Sequence, residues 1–190
     1  LPHVACTFDM DKSGARLTWE FFHPGVPLPK LLAHIEDRDL WRFALPGTRE
    51  IQATVFSHPY DFEVWDDLVQ DCACLEGFDM LKRQGQAIER KHQKDVGELL
   101  AQTRRSMVIG GMRVPVANMP YTMASDAAGM MAEGVPFAAT YYDAPDGRRF
   151  SLRSRGDTGH DVSQIAKQYG GGGHRNASGF TVPAGWEGDL

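Results

Sequence analysis

The sequence predicts an α/β protein: a mostly helical first part, one long helix from Phe78 to Arg105, and a compact α/β unit from Met107 onward. Three observations predict it. Apolar residues recur at helical spacing as far as Arg105. At Met107 the period changes to alternation with glycine-marked turns. Near the C-terminus, four consecutive glycines, Gly170 to Gly173, separate a helical pattern from a strand-like one.

With 190 residues and a 42% apolar fraction, the chain has room for one large domain or two small ones, each able to bury a core. It shows no apolar run of transmembrane length and no secretion-signal pattern, so a cytoplasmic location is expected. Cys6, Cys72 and Cys74 have neither zinc-finger nor CxxC spacing, and reduced, mostly buried thiols are expected.

The chain opens on Leu1 to Phe8, an apolar strand-like run without an initiating methionine, read as starting in the middle of a fold. Ala15, Trp19 and Phe22, with Leu17 and Phe21, predict a helix capped by Asp11 or Ser13 and stopped at His23-Pro24-Gly25. Pro29 to Phe43 predicts a second helix, on which Glu36, Asp37, Arg38 and Asp39 read as exposed or paired charges at a helix end. Two short helices follow, Arg49 to Phe56 and Phe62 to Val69.

Leu81, Gly85, Ile88, His92, Val96 and Leu99 form one stripe on the long helix. A lone histidine such as His92 is more often packed or half-exposed than a ligand. Gly85 and Gly97 each weaken the helix by about 1 kcal/mol and mark close packing or a bend.

Beyond it, Met107 to Ile109, Gly110-Gly111 and Met112 to Ala117 predict a β-hairpin. Met123 to Glu133 predicts a helix with Ser125 near its start and Gly134 at its stop. Strands Phe137 to Tyr142 and Arg148 to Ser154 flank a turn, and a helix from Val162 to Tyr169 precedes the glycine run. On the second of these strands, alternation puts Phe150 and Leu152 on the core face and Arg149, Ser151 and Arg153 on the other. Three arginines share that face if the strand reaches Arg155; a solvated strand face is the plainer alternative.

The run Gly170-Gly171-Gly172-Gly173-His174-Arg175-Asn176-Ala177-Ser178-Gly179-Phe180 is the main functional signal. Glycines reach positive φ and let a ligand approach the amides, which can cup an anion. His174 and Arg175 add two side chains suited to phosphate. A flexible linker is the weaker alternative, because the run lies between two patterned elements. Gly179 suggests a second tight backbone approach.

Net charge is −5, which argues against a protein that coats nucleic acid by bulk electrostatics. Leu1 to Ser106 carries 13 basic and 17 acidic residues, and Met107 to Leu190 carries 7 and 8. Six of those seven bases are arginines, four of them between Arg148 and Arg155, a pattern that suits local phosphate recognition.

This glycine run, preceded by Ser151-Leu152-Arg153-Ser154 and the helix from Asp161, resembles the DHHA1 substrate-binding domain of the DHH phosphoesterase superfamily, whose pattern is GGGHxxAAG after a strand ending in LRS. Ser178 replaces the second alanine, a small-for-small change expected to be tolerated. Phe8 to Ala15, with Ser13-Gly14-Ala15, looks like that family's fourth motif. The resemblance implies a helical C-terminal part of the catalytic DHH domain over 1–77, a connector helix over 78–106 and a DHHA1 domain with a mixed sheet over 107–190.

It also implies hydrolysis of a phosphodiester or phosphoanhydride by water activated on two Mn2+ or Mg2+ ions, across a cleft whose second side holds the substrate. The substrate class is short oligonucleotides, cyclic dinucleotides or polyphosphate, and a homodimer is left open. Arg153, Ser154, Gly171, Gly172, Gly173, His174 and Arg175 are the substrate-binding residues implied. The family's DxD, further aspartate and DHH triplet do not occur, and Asp9-Met10-Asp11 belongs to the fourth-motif position. The chain is therefore expected to be the C-terminal part of a longer protein, without catalytic or metal residues and inactive alone. The alternative is a nucleic-acid-binding module without chemistry, as DHHA1-like domains also occur on alanyl-tRNA synthetases. A structural or interaction protein, suggested by the methionines from Met119 to Met131, ranks third, since core filling explains them.

Overall fold

The computed structural model describes residues 6–9, 11–156 and 159–189. The strand-like run expected at the N-terminus falls largely on residues 1–5, outside the described residues, and Cys6 to Phe8 take no regular structure. The chain divides into two compact units, Leu1–Lys91 and His92–Leu190.

The first unit is helical: α1 (Gly14–Phe22), α2 (Lys30–Asp39), α3 (Thr48–Val55), α4 (Phe62–Ala73) and the first part of α5 (Leu75–Thr103). Its core is Leu31, Ile51, Val55, Leu68, Cys72 and Leu81. Ser13 caps α1 by accepting the Arg16 N–H at 3.1 Å, satisfying one orphan donor of the first turn. Asp61 caps α4 by accepting from Glu63 and Val64. Cys72 is buried, but Cys6 and Cys74 are exposed, which corrects the expectation of mostly buried thiols.

Helix α2 stops four residues short of Phe43. The backbone turns left-handed at Trp41 (φ 56°) and Phe43 (φ 48°), and the loop is built on Asp37. Its carboxylate accepts the Ala44 and Leu45 N–H groups at 2.8 and 3.0 Å and the Thr48 hydroxyl at 2.6 Å. Of the charges expected to be exposed or paired, Asp39 is exposed and Glu36 is paired with Arg16, while Asp37, only 5% exposed, is the buried anchor of the loop. Glu36 accepts the Ser13 N–H and an Arg16 guanidinium N–H, pinning the Ser13-Gly14-Ala15 turn to α2. Thr48 gives its only hydroxyl proton to Asp37, so its 2.8 Å bond to His34 must be donated by Nδ1–H of the imidazole. Burial, then Lys30, pushes the His34 pKa down against the opposing pull of Asp37.

The second unit contains the rest of α5, β1 (Arg105–Ile109), β2 (Met112–Asn118), a 3-10 turn, α6 (Ala124–Met131), β3 (Ala138–Ala144), β4 (Gly147–Arg153), α7 (Val162–Gln168), β5 (Gly172–His174) and β6 (Ala177–Val182). The strands form one sheet in the order β1-β2-β3-β4-β6-β5. Among the described residues only the β2–β3 pair is parallel, so the sheet is mixed. The hairpin turns through Gly110 (φ 59°) and Gly111 (φ 73°), the two positive φ values that a tight two-residue turn requires.

On one face of the sheet Val114, Val116, Phe150, Leu152 and Phe180 pack against Val162 and Ile165 of α7, with Trp186 at the edge. On the other, Ala117, Met119 and Ala138 pack against Val96 of α5 and Ala127 and Met131 of α6. Core filling thus accounts for Met119 and Met131. No helix among the described residues is long and apolar enough to cross a membrane.

Candidate substrate-binding site

The β4–β6–β5 end of the sheet carries the residues singled out in the sequence. Arg153 stands opposite Ala177, and Ala177 opposite His174. Directly opposed residues of antiparallel strands point to the same face. Leu152, Phe150 and Phe180 occupy the α7 face, so Arg153 and His174 share the other, two strand spacings or about 10 Å apart. A phosphate group lying between two such side chains is within reach of both.

Each glycine of the run has a different job. Gly170 (φ 75°) ends α7, its N–H bonding Lys167 O, and the Gly171 N–H closes the turn on Ala166 O at 2.9 Å. A Cβ on Gly171 would lie 2.1 Å from Gly179 O, and one on Gly173 (φ 141°) 2.6 Å from Ala177 O. A Cβ on Gly179 would lie 2.6 Å from Phe150 O, the second tight approach read from the sequence. The run is therefore not a free loop. Its second half is β5, paired with β6, and the Gly171 amide is already spent on the helix end.

Gly172 differs: a Cβ there meets nothing within 4 Å, and the residue is exposed on the edge strand. An edge strand turns one row of backbone groups outward. Gly172→Ala is expected to leave the melting temperature within about 1 °C while weakening phosphate-ligand binding, because its methyl group would stand on the same sheet face as His174, two residues on. Gly171→Ala is expected to lower it by several degrees through backbone overlap. Thermal melts and titrations of both variants check this.

Arg153 donates to Ser125 Oγ at 2.7 Å and to Leu152 O at 2.8 Å, which aims the guanidinium along the α6 face. Ser154 is buried, and its Oγ accepts from Asn176 Nδ2 at 3.0 Å. Asn176 Nδ2 also donates to Gly156 O at 3.0 Å, so the turn between β5 and β6 is tied to the segment leaving β4. Ser154 thus positions the turn rather than facing outward. Ser178 donates to His174 O at 2.7 Å, which explains why serine is accommodated there. His174 and Arg175 are exposed; Arg175 O accepts the Val162 N–H at 2.8 Å, anchoring the turn to α7.

Most of the arginine cluster has other work. β4 ends at Arg153, and Arg155 gives Nε and Nη2 to Gly129 O, so the three-arginine face is not formed. Arg148 is buried and grips both Asp143 oxygens as well as Glu187. Hydrogen bonds from Arg105 and Arg148 pull the Glu187 pKa down to about 2. Arg149 pairs with Asp146. Ser125 and Asn176 are the positioning residues whose roles the sequence does not mark: Ser125 reads only as a residue near a helix start, and Asn176 only as part of the glycine run. His92 is half-buried and bonds Asp126 Oδ2 at 2.9 Å, next to Ser125.

Among the described residues no group of three or more His, Cys, Asp or Glu side chains is placed to hold a metal ion. The described residues therefore do not fit a two-metal centre.

No family model matches the chain. An uncharacterized protein, R106, of Acanthamoeba polyphaga mimivirus is 33% identical over 189 residues, 95% of this chain but 43% of that protein. The chain thus spans less than half the length of the curated relative that it matches. Among solved structures, the pGpG-specific phosphodiesterase PggH of Vibrio cholerae aligns with a TM-score of 0.51 at 11% identity, over 90% of this chain and 68% of that one. A DHH domain from a member of a family of ribosomal proteins aligns over 76% of this chain and 38% of its own, with a TM-score of 0.47 and 15% identity. At that identity, the alignment with the phosphodiesterase shows a likeness of fold.

Proposed function

We propose that this chain, whose glycine run and Leu152-Arg153-Ser154 strand end resemble the DHH phosphoesterase pattern, is the substrate-holding part of a phosphoesterase of that type. The supporting observation is the row Arg153–Ala177–His174 across three strands, on the sheet face away from α7 and beside the open edge at Gly172. In this reading Arg153 and His174 grip a phosphate from two sides, and the outward amides of β5 and the Arg175 guanidinium complete the grip. Ser154 and Asn176 hold the turn in place.

The substrate is a short oligonucleotide or cyclic dinucleotide, with polyphosphate as the baseless limit of the same chemistry. The residues named here bind and orient; fixed donors aimed at phosphate oxygens lower the cost of positioning and of gathering charge. The Mn2+ or Mg2+ ions that the family resemblance implies, which supply an activated water when bound, are proposed to be held by residues outside this chain.

A dinucleotide with a 5′ phosphate, pGpG, is the probe. In isothermal titration the wild-type chain is expected to bind it, and His174→Ala and Arg153→Ala each to weaken binding tenfold or more. That follows from about 1.5–3 kcal/mol for a charged hydrogen bond. Melting curves of the two variants are expected to stay close to wild type. Unchanged affinity in both variants removes the assignment.

A further inference from the structure

The helical unit carries an aromatic pocket unrelated to the phosphate site. Tyr60, Asp61, Phe62 and Trp65 line a solvent-open cavity of about 240 Å3 at the start of α4. Phe62 is 92% exposed and Tyr60 85%, an unusual outlay of large apolar side chains where α4 could have turned them inward. The pocket is nevertheless built. Trp65 Nε1 donates to Pro59 O at 3.1 Å, and the Tyr60 and Trp65 rings stack with centroids 5.9 Å apart. Two backbone N–H groups fix the Asp61 carboxylate as the helix cap.

Its surroundings select the ligand's charge. Between Ser57 and Gly77 the sequence has Asp61, Glu63, Asp66, Asp67, Asp71 and Glu76 and no lysine or arginine. Asp66 lies one residue after Trp65 and one helical turn after Phe62, on the pocket's side of α4. Aromatic faces attract cations, and three rings beside a carboxylate form the kind of cage that takes organic ammonium groups. The neighbouring ring already carries a cation: the Arg38 guanidinium lies 4.9 Å from the centroid of Phe56, which packs edge-on to Trp65. Nucleobases also stack on aromatic rings, but their phosphates would be repelled by this acidic stretch.

We infer that this pocket is a docking site for a basic peptide segment of a partner protein, with a lysine ammonium seated among Tyr60, Phe62 and Trp65 against Asp61. The acidic residues further along α4 then meet the flanking basic residues of the same peptide. The pocket and the phosphate-binding row rest on different residues in different units, and neither assignment depends on the other.

The test is isothermal titration at low salt with an eight-residue peptide containing two lysines, and the same peptide with norleucine at both positions. Tetramethylammonium chloride and an oligothymidylate serve as the free-cation and nucleic-acid arms. The lysine peptide is expected to bind at least fivefold more tightly than the norleucine peptide, and more tightly than tetramethylammonium. Phe62→Ala and Tyr60→Ala, both at exposed positions, are expected to lose threefold or more while melting as wild type. No binding, equal binding of the two peptides, tetramethylammonium binding as tightly as the lysine peptide, or oligothymidylate binding that Tyr60→Ala abolishes would overturn the inference.

Discussion

Replacing Gly85 with alanine is expected to destabilise the helical unit by about 3 kcal/mol or more, the largest effect of any single methyl group in that unit. Gly85 is buried where α5 crosses α3, and an added Cβ would lie 1.7 Å from Glu50 O and 2.4 Å from Glu50 C. Those atoms belong to a helix backbone and cannot turn aside as a side chain could, so the two helices would have to separate. Separation would loosen Ile51 and Leu81 in the core. Alanine's helix propensity returns only about 1 kcal/mol. Gly97, on the same helix, is the control: a Cβ there meets nothing within 4 Å, so Gly97→Ala is expected to stabilise by up to about 1 kcal/mol. Urea denaturation of the two variants should move in opposite directions from wild type.

Asp37→Ala ranks second, with an expected loss of about 2–4 kcal/mol. The carboxylate satisfies two backbone N–H groups and the Thr48 hydroxyl, all of which would be left unpaired where alanine offers no acceptor. Burial alone would raise the Asp37 pKa, but the bonds from Thr48, Ala44 and Leu45 outweigh it and hold the value low. A lowered aspartate pKa stabilises the fold above the unfolded value of about 3.9, and that contribution is lost as pH falls through the folded value. His34 acts earlier in an acid titration. Its folded pKa is lowered, so the unfolded chain takes up the proton first, and stability declines as pH drops below about 6.5. Denaturation midpoints followed from pH 8 to pH 3 are therefore expected to fall in two stages, and Asp37→Ala to show a smaller fall in the more acidic one, which other carboxylates with lowered pKa values such as Glu187 retain.

These two sites also show where reading a sequence stops. The Ser13 cap, the Gly110-Gly111 turn and the alternation of Phe150 and Leu152 are local signals, carried by residues adjacent in the chain, and each is legible. Asp37 looks like part of a solvated charge cluster because its partners, Ala44 to Thr48, meet it only after the chain reverses at Trp41 and Phe43. Neither aromatic residue signals a left-handed backbone, so the helix read from the sequence runs on to Phe43. The glycine run has no alternation to mark it as a strand, and β5 exists because β6 pairs with it. Its importance is legible, whereas the division of its glycines between helix end, strand packing and open edge requires the positions of Gly179 and Ala177.

The Arg153–His174 row and the β5 edge are proposed to hold a phosphate-bearing ligand. Amide and side-chain NMR chemical shifts of the 190-residue chain, followed during titration with pGpG, test it most directly. Saturable shifts are expected to concentrate at Gly172 to Arg175 and the Arg153 guanidinium, with smaller ones at Ser125 and Asn176. Saturable shifts elsewhere, with those residues unmoved, would contradict it.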